Sequence, residues 1–404
     1  MKIRKIKILS IFLLLPLTML GQNFIDTLSF INHDNNIIVF NDTEPNHVQL
    51  IDKFQKLQTP KAEKINILHI GDSHLQAGFF TEKIKQTLFQ NLFPDDTICE
   101  PGFIFPFTMA QTNNPFFYKV NYTGNWDWCK NTDSEKDCLL GLSGITVTTK
   151  DSLSTLSIKM QNRKYDYPIK YFFNQIKILH SYDSSFSIFA NDIDASINDG
   201  WSEIQLTELT DSVNLQFINR DTTKKFELYG IVLENSNKKI AYHTIGVNGA
   251  TAQSYQKCEL FSSQLKHIKP DLIIISLGTN EAFSDDFTQI ENEFIVKDLL
   301  YQIKDISKES TIILAVPGDH YKNELTNTNI SLIRENLIKI QTELHTGIWD
   351  FYTVMGGENS IIQWYEKNLT AKDKLHFNRK GYEVQGELFV DAFLKLLENK
   401  PNNF

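Results

Sequence analysis

The chain has 404 residues, 41% of them hydrophobic and 12% aromatic, which is enough for a large buried core and more than one structural unit. This composition excludes a disordered or low-complexity protein. A net charge of -9 and an isoelectric point near 5.6 give no electrostatic reason to expect nucleic acid or an anionic membrane surface as a partner. A neutral or small partner is expected instead, and nothing in the sequence indicates an oligomeric state.

Residues 1–21 have the pattern of a secretory signal peptide. Basic residues between Lys2 and Lys7 precede an apolar run from Ile8 to Leu20, and Gly21 follows. The run is shorter than the roughly 20 residues that span a bilayer, so a membrane anchor is the weaker interpretation. We therefore expect an exported protein, periplasmic or secreted, with no integral membrane span once the signal is removed.

The cysteines that follow this segment are compatible with disulfide formation in an exported protein. Cys129 and Cys138 are the closest pair in sequence and are therefore the first candidates, although spacing alone does not decide the pairing. No C-x-x-C motif occurs and the ten histidines are scattered. We therefore expect no metal site, and no cofactor is indicated.

After the predicted signal, residues 22–62 form a polar N-terminal segment, with a short amphipathic helix predicted over 48–57. The next part, 63–115, begins with an apolar run from Ile65 to Ile70 that predicts a buried strand. A helical pattern over 79–92 would cover one face of the sheet to which this strand belongs.

The strand stops abruptly at Gly71-Asp72-Ser73. Open α/β sheets bind their ligands at the carboxyl ends of the strands, so Ser73 would face a crevice and is a candidate nucleophile. The alternative is that Ser73 merely caps the next helix, because serine is a preferred N-cap residue. This stretch alone does not decide between the two interpretations.

Residues 116–238 read as an insertion with a different pattern. The segment 103–128 is crowded with aromatic residues, which either form a platform for sugars or simply bury the insertion against its host domain. From about 145 to 235 the apolar positions alternate with a period of two, in short runs separated by Asp, Asn, Ser and Gly. This pattern predicts an antiparallel β-sandwich or jelly roll.

In the last part, 239–398, strands and helices alternate again. Strands are predicted at 240–245, 271–277, 311–316 and 348–354, and helices at about 251–266, 290–306, 329–345 and 379–398. Together with the strand at 65–70 they predict an α/β fold with a doubly wound parallel sheet between two layers of helices, a three-layer α/β/α arrangement.

Four turns at predicted strand ends carry residues that together suit acyl transfer from an ester. Ser73 would attack, His376 would take its proton, and Asp373, three residues earlier, would orient the imidazole. The backbone N–H groups of Ser73 and Gly249 and the side-chain amide of Asn280 would stabilise the oxyanion. A parallel sheet brings such turns to a common edge.

These four blocks, G-D-S-H at 71–74, G-V-N-G-A at 246–250, G-T-N-E at 278–281 and D-K-L-H at 373–376, resemble those of the SGNH (GDSL-type) hydrolase family. His74 and Glu281 depart from the commoner Leu and Asp. The longer motifs G-D-S-H-x-Q-A-G and H-F-N-R-K-G-Y are similar to those of bacterial peptidoglycan O-acetylesterases, in which a β-rich, carbohydrate-binding-like subdomain interrupts the core.

The resemblance implies an exported serine esterase that removes O-acetyl groups from a glycan, most often 6-O-acetyl-N-acetylmuramic acid in peptidoglycan. Two enzymatic alternatives use the same residues: an O-acetyltransferase and an esterase for another polysaccharide. A carbohydrate-binding protein with an inactive hydrolase scaffold is the non-enzymatic alternative, and it predicts damage to the set of catalytic residues that the sequence does not show.

Other residues near these motifs are interpreted as structural. Asp72 is expected to form the turn or start the helix rather than to act as an acid, and His74 to shape the pocket beside Ser73. Gly246 would serve the exit from its strand. Four further histidines are expected to be structural: His69, His243, His320 and His345.

Overall fold

The structure is a computed structural model that describes residues 24–41, 45–135, 137–164 and 168–398. The predicted signal peptide lies outside these residues. Within these ranges, no helix combines the length and the apolar character needed to cross a membrane.

The strands of the described residues are, in chain order, β1 (Ile38–Phe40), β2 (Ile65–Gly71), β3 (Ile98–Cys99), β4 (Gly102–Ile104), β5 (Tyr118–Thr123), β6 (Asp127–Lys130), β7 (Ile145–Thr149), β8 (Leu153–Met160), β9 (Lys170–Tyr171), β10 (Phe173–His180), β11 (Phe186–Ala190), β12 (Ile193–Asp194), β13 (Ser196–Asn198), β14 (Trp201–Thr210), β15 (Ser212–Asn219), β16 (Phe226–Glu234), β17 (Ile240–Gly246), β18 (Leu272–Ser276), β19 (Thr311–Ala315), β20 (Tyr321–Lys322), β21 (Leu325–Thr326) and β22 (Gly347–Trp349).

The α-helices of the same ranges are α1 (Pro45–Gln55), α2 (Ser73–Gln76), α3 (Phe79–Leu92), α4 (Ala252–Gln256), α5 (Phe261–Ile268), α6 (Thr279–Phe283), α7 (Gln289–Ile306), α8 (Asn329–Glu343), α9 (Phe351–Val354), α10 (Ser360–Glu366) and α11 (Arg379–Glu398). Short 3-10 helices lie at Phe24–Thr27, His33–Asn35 and Phe107–Ala110.

The central sheet has six strands in the order β1-β22-β19-β18-β2-β17. All neighbours pair in parallel except β1, which runs antiparallel to β22. The apolar residues of β18 and β19 are buried, as expected for parallel strands that are covered on both faces. The predicted α/β fold with a parallel sheet is confirmed, and the carboxyl ends of β2, β17 and β18 meet at one edge.

Two antiparallel sheets form the β-rich region. One contains β13-β14-β10-β16-β7-β6, with β4 also paired to β16, and the other contains β12-β11-β15-β8-β5. Phe226 of the first sheet packs against Phe186 and Phe217 of the second, with ring centroids 5.3 and 4.9 Å apart. The inward-facing positions of the alternating runs are thus buried between two sheets, as in a β-sandwich.

Three details differ from the sequence-based expectations. Residues 102–104, assigned to the first part of the core, form β4 and pair with the sandwich, because a short apolar run does not reveal its partner strand. The N-terminal segment 22–62 supplies β1 to the central sheet. The strand predicted over 348–354 ends at Trp349, where the Asp350 side chain accepts a hydrogen bond from the Thr353 N–H and starts α9.

A loop of the sandwich is fixed against the edge of the core that carries the predicted site. Cys129 and Cys138 form a disulfide, whereas Cys99 and Cys258 are buried and lie outside it. Beyond the disulfide, the Leu140 N–H donates to the Glu259 carboxylate of the α4–α5 connection. This contact ties the loop to the core helices that follow β17.

His243 of β17 gives the fold a measurable sensitivity to acid. Its ring is buried, neither ring nitrogen has a hydrogen-bond partner among the described residues, and burial lowers its pKa to about 3. Because the unfolded chain binds a proton near pH 6.5 and the folded chain does not, this histidine's contribution to stability is present above pH 6.5 and is lost as the pH falls toward 3.

We expect the free energy of unfolding to fall less between pH 7 and pH 4.5 in His243→Met than in the native chain, by roughly 2 to 3 kcal/mol. Chemical denaturation of both proteins at the two pH values measures this difference. Groups that titrate in both proteins cancel in the comparison. Equal losses in the two proteins would show that His243 binds its proton as readily in the folded chain as in the unfolded chain.

Candidate active site

Ser73 is the first residue of α2, directly after the carboxyl end of β2. Asp72, and not Ser73, is the N-cap residue, because its side chain accepts a hydrogen bond from the His74 N–H at 2.9 Å. A side chain at Gly71 would meet the Ser276 carbonyl oxygen at 2.8 Å, so the turn requires glycine there. The tight turn leaves the Ser73 hydroxyl available for other contacts.

The structure brings Ser73, His376 and Asp373 into one hydrogen-bonded chain. Ser73 Oγ lies 3.0 Å from His376 Nε2, and His376 Nδ1 lies 2.8 Å from Asp373 Oδ2. An ionised carboxylate can only accept, so Nδ1 carries the proton and Nε2 is left to accept from the serine hydroxyl. The arrangement is the one that a nucleophile, a base and an orienting acid require.

The carboxylate of Asp373 is held in its ionised form. Partial burial by itself raises its pKa, but hydrogen bonds from the His376 side chain and from the Leu375 and His376 N–H groups outweigh this effect and lower the pKa below its usual value. One oxygen of Asp373 thus fixes the backbone of the loop while the other fixes the imidazole.

Lys374, between these two residues, has left-handed backbone geometry with φ of 50°. Its ammonium group lies over the rings of Tyr321 and Tyr365, at 4.5 and 4.9 Å from the centroids, and its carbonyl accepts from the Tyr321 N–H at 3.0 Å. A non-glycine residue adopts this conformation only where its surroundings impose it. These contacts hold the turn that lets Asp373 reach His376.

Two backbone N–H groups at the same sheet edge are available as donors. Neither the Ser73 nor the Gly249 N–H has a hydrogen-bond partner among the described residues. Gly249 has φ of 82°, and a Cβ there would meet only Thr132, at 3.9 Å. A Cβ at Gly246 would instead lie 2.8 Å from the Asp72 carbonyl oxygen, so that glycine is needed for close packing of β17 against α2.

Asn280, in the first turn of α6, links these turns. Its amide nitrogen donates to the Ala250 carbonyl at 2.9 Å and to Asp72 Oδ2 at 3.2 Å. Both amide hydrogens are therefore engaged, and the longer contact to Asp72 is the one that an oxyanion would replace. Asp72 is buried, which raises its pKa to about 7.

Gln76 belongs to the motif G-D-S-H-x-Q-A-G, but sequence analysis assigned it no role in the site. Its carbonyl oxygen accepts from the Asn248 N–H at 2.8 Å, and its amide donates to Thr112 at 2.9 Å. It thereby anchors the turn that presents Gly249. The signal was its place in S-H-L-Q, three residues after Ser73 on a single helical turn, but nothing in the sequence names its distant partner.

The remaining histidines are engaged in the fold or beside the site. His69 contacts Tyr242 and Ser276 through its two ring nitrogens, at 2.7 Å each. His74 stacks on His376 with ring centroids 5.1 Å apart, and burial lowers its pKa to about 3, which keeps it neutral near pH 7. In the described ranges, no three His, Cys, Asp or Glu side chains are grouped so that they could hold a metal ion.

Residues 220–384 match the model of the GDSL-like Lipase/Acylhydrolase family. The chain carries a GDSL-like acylhydrolase domain. This domain supports the assignment of the chain as a carboxylic ester hydrolase. The matched residues include Gly249, Asn280, Asp373 and His376. Ser73 lies outside the match, directly after β2, which pairs with the matched strands β17 and β18.

The chain is also similar to a solved structure of a peptidoglycan O-acetylesterase, with a TM-score of 0.74, 22% sequence identity, and coverage of 89% of this chain and 99% of the other. The likeness shows a shared fold that includes the β-rich region. A lipase/acylhydrolase from Enterococcus faecalis matches with a TM-score of 0.32 and 22% identity, over 39% of this chain and 76% of its own.

An acetylxylan esterase from Geobacillus stearothermophilus matches with a TM-score of 0.30 and 18% identity, over 39% of this chain and 73% of its own. The search of curated proteins found no match.

Proposed function

We propose that the acylhydrolase is an exported serine esterase that removes O-acetyl groups from carbohydrate, with O-acetylated peptidoglycan as its substrate. The observation that carries the proposal is the chain of contacts from Ser73 Oγ through His376 to Asp373, with distances of 3.0 and 2.8 Å. It lies at the sheet edge where α/β enzymes bind their substrates.

In the proposed mechanism, Ser73 Oγ attacks the carbonyl carbon of the acetyl ester while His376 Nε2 takes the hydroxyl proton. The oxyanion forms beside the N–H groups of Ser73 and Gly249 and the amide of Asn280. The tetrahedral intermediate expels the sugar oxygen, which receives the proton from His376. His376 then takes a proton from a water molecule, which attacks the acetyl-enzyme. The proton returns to Ser73 Oγ as acetate leaves.

Three observations support the glycan and its location. The solved structure with a TM-score of 0.74 is described as a peptidoglycan O-acetylesterase, and the likeness extends over 89% of this chain. The first 21 residues have the pattern of a signal for export to the compartment in which peptidoglycan lies. The contacts of Ser73 with His376 and of His376 with Asp373 favour an enzyme over a binding protein built on an inactive scaffold.

The purified protein should release acetate from O-acetylated peptidoglycan in proportion to the loss of bound acetyl groups. The Ser73→Ala variant should release no acetate. Acetate assay and mass spectrometry of the digested glycan measure both quantities. Adding an unacetylated oligosaccharide tests transfer, because a transferase would move the acetyl group to it without releasing acetate. Acetyl transfer, or retention of all acetyl groups by the peptidoglycan, would contradict the proposal.

A further inference from the structure

A cavity of about 290 Å³ opens beside Asn280, between the start of α4, α6 and the start of α7. It is close in size to the smaller ligand sites of proteins, which begin at about 300 Å³. Asn280 lines it and also contacts Asp72, the neighbour of Ser73. The cavity therefore borders Asn280, one of the groups proposed to stabilise the oxyanion.

Glu281 lines this cavity, and only one of its two carboxylate oxygens has a hydrogen-bond partner among the described residues. One oxygen accepts from the Ala252 N–H at 2.8 Å, which fixes the side chain. The other oxygen is buried and has no partner among the described residues, and burial raises the pKa of the group. A desolvated acceptor of this kind costs free energy unless a donor meets it.

The rest of the lining suits a ligand rich in hydrogen-bond donors. Thr251 and Ser284 supply hydroxyl groups, Asp286 and Glu291 supply carboxylates, and Phe287 supplies an apolar surface. The acceptor oxygens suit the hydroxyl and acetamido N–H groups on the edge of a sugar ring. The aromatic ring suits the C–H groups on the face of the sugar. A carboxylate-bearing ligand would be repelled by the same acidic side chains.

We propose that this cavity binds an uncharged part of the glycan, a pyranose ring next to the reacting ester, and that Glu281 accepts a hydroxyl or acetamido N–H from it. The inference rests on the proposed function, since it assigns the ring position relative to the ester that Ser73 attacks. It also gives a role to the second carboxylate oxygen of Glu281, which has no other partner among the described residues.

Glu281→Gln tests the role of the carboxylate with little change of shape. Glutamine can still accept from the Ala252 N–H, but its amide group replaces the free acceptor with a donor. We expect kcat/KM for an O-acetylated N-acetylglucosamine oligosaccharide to fall about 10- to 100-fold, mainly through KM. Hydrolysis of an aryl acetate, which has no sugar ring to place in the cavity, should stay within about twofold of the native value.

Asp285→Asn is the matched control. Asp285 follows α6, is exposed, pairs with Lys322 and does not line the cavity. Its substitution therefore removes one negative charge four residues from Glu281 without changing the cavity. Asp285→Asn should leave kcat/KM for both substrates unchanged. The proposal would be overturned if Glu281→Gln lowered kcat/KM equally for the oligosaccharide and the aryl acetate, or lowered it for neither.

A binding measurement separates this inference from the proposed function. In a Ser73→Ala background, titration calorimetry with the unacetylated oligosaccharide should show binding that Glu281→Gln weakens by the same factor. If the native protein hydrolyses no ester but this binding difference persists, the esterase proposal fails and the sugar site stands. If esters are hydrolysed but the oligosaccharide binds equally to both variants, the sugar site is wrong.

Discussion

Replacing Ser73 by alanine is expected to lower kcat for aryl acetate hydrolysis by about 10⁴-fold or more, with little change in KM. The Ser73 hydroxyl oxygen would form the bond to the acetyl group in the acetyl-enzyme. It lies 3.0 Å from His376 Nε2, which would take the hydroxyl proton. Without the hydroxyl, only the oxyanion donors remain to accelerate attack by water. Steady-state kinetics with an aryl acetate measure the change.

The companion variants test whether the three residues act as one unit. His376→Ala should cost nearly as much as Ser73→Ala, and the double variant should cost no more than either alone, because a nucleophile without its base is as inactive as no nucleophile. Circular dichroism establishes that each variant is folded. Losses that multiply in the double variant would show that Ser73 and His376 contribute independently, contrary to the geometry.

Much of this site is predictable from sequence because its key relations are local. The apolar run that ends at Gly71 predicts a strand and a tight turn, and Ser73 follows at once. Asp373 and His376 are three residues apart, so a single turn brings them together. The parallel sheet then supplies the one long-range relation, since it collects the carboxyl ends of β2, β17 and β18 at one edge.

The parts that sequence missed depend on partners that no local pattern specifies. Gln76 accepts from the Asn248 N–H across 172 positions of the chain. β4 carries apolar residues that would suit the core sheet or the sandwich equally well. The run 348–354 is rich in apolar and aromatic residues, and only the Asp350 cap shows that a strand gives way to a helix within it.

The resting contacts of Asn280 lead to the second large prediction. Its amide donates to Asp72 Oδ2 at 3.2 Å and to the Ala250 carbonyl at 2.9 Å, so it is already oriented at the meeting point of three strand ends. An oxyanion that displaces the weaker of these contacts receives a donor that needs no further reorganisation. Asn280→Ala should therefore lower kcat for an aryl acetate by about 10²- to 10³-fold and leave KM nearly unchanged.

The same substitution removes two structural hydrogen bonds, so stability must be separated from catalysis. Asn327→Ala is a suitable match, because the Asn327 amide donates to the Ala282 carbonyl of the same helix at 3.0 Å and contacts His320, but makes no hydrogen bond to Ser73, Asp373 or His376. Both variants should lose roughly 1 to 3 kcal/mol in the free energy of unfolding, measured by chemical denaturation. Only Asn280→Ala should lose its kcat at a temperature where both remain folded. Comparable kcat losses in the two variants would mean that α6 acts through its rigidity, and a change confined to KM would mean that Asn280 binds the ground state rather than the oxyanion.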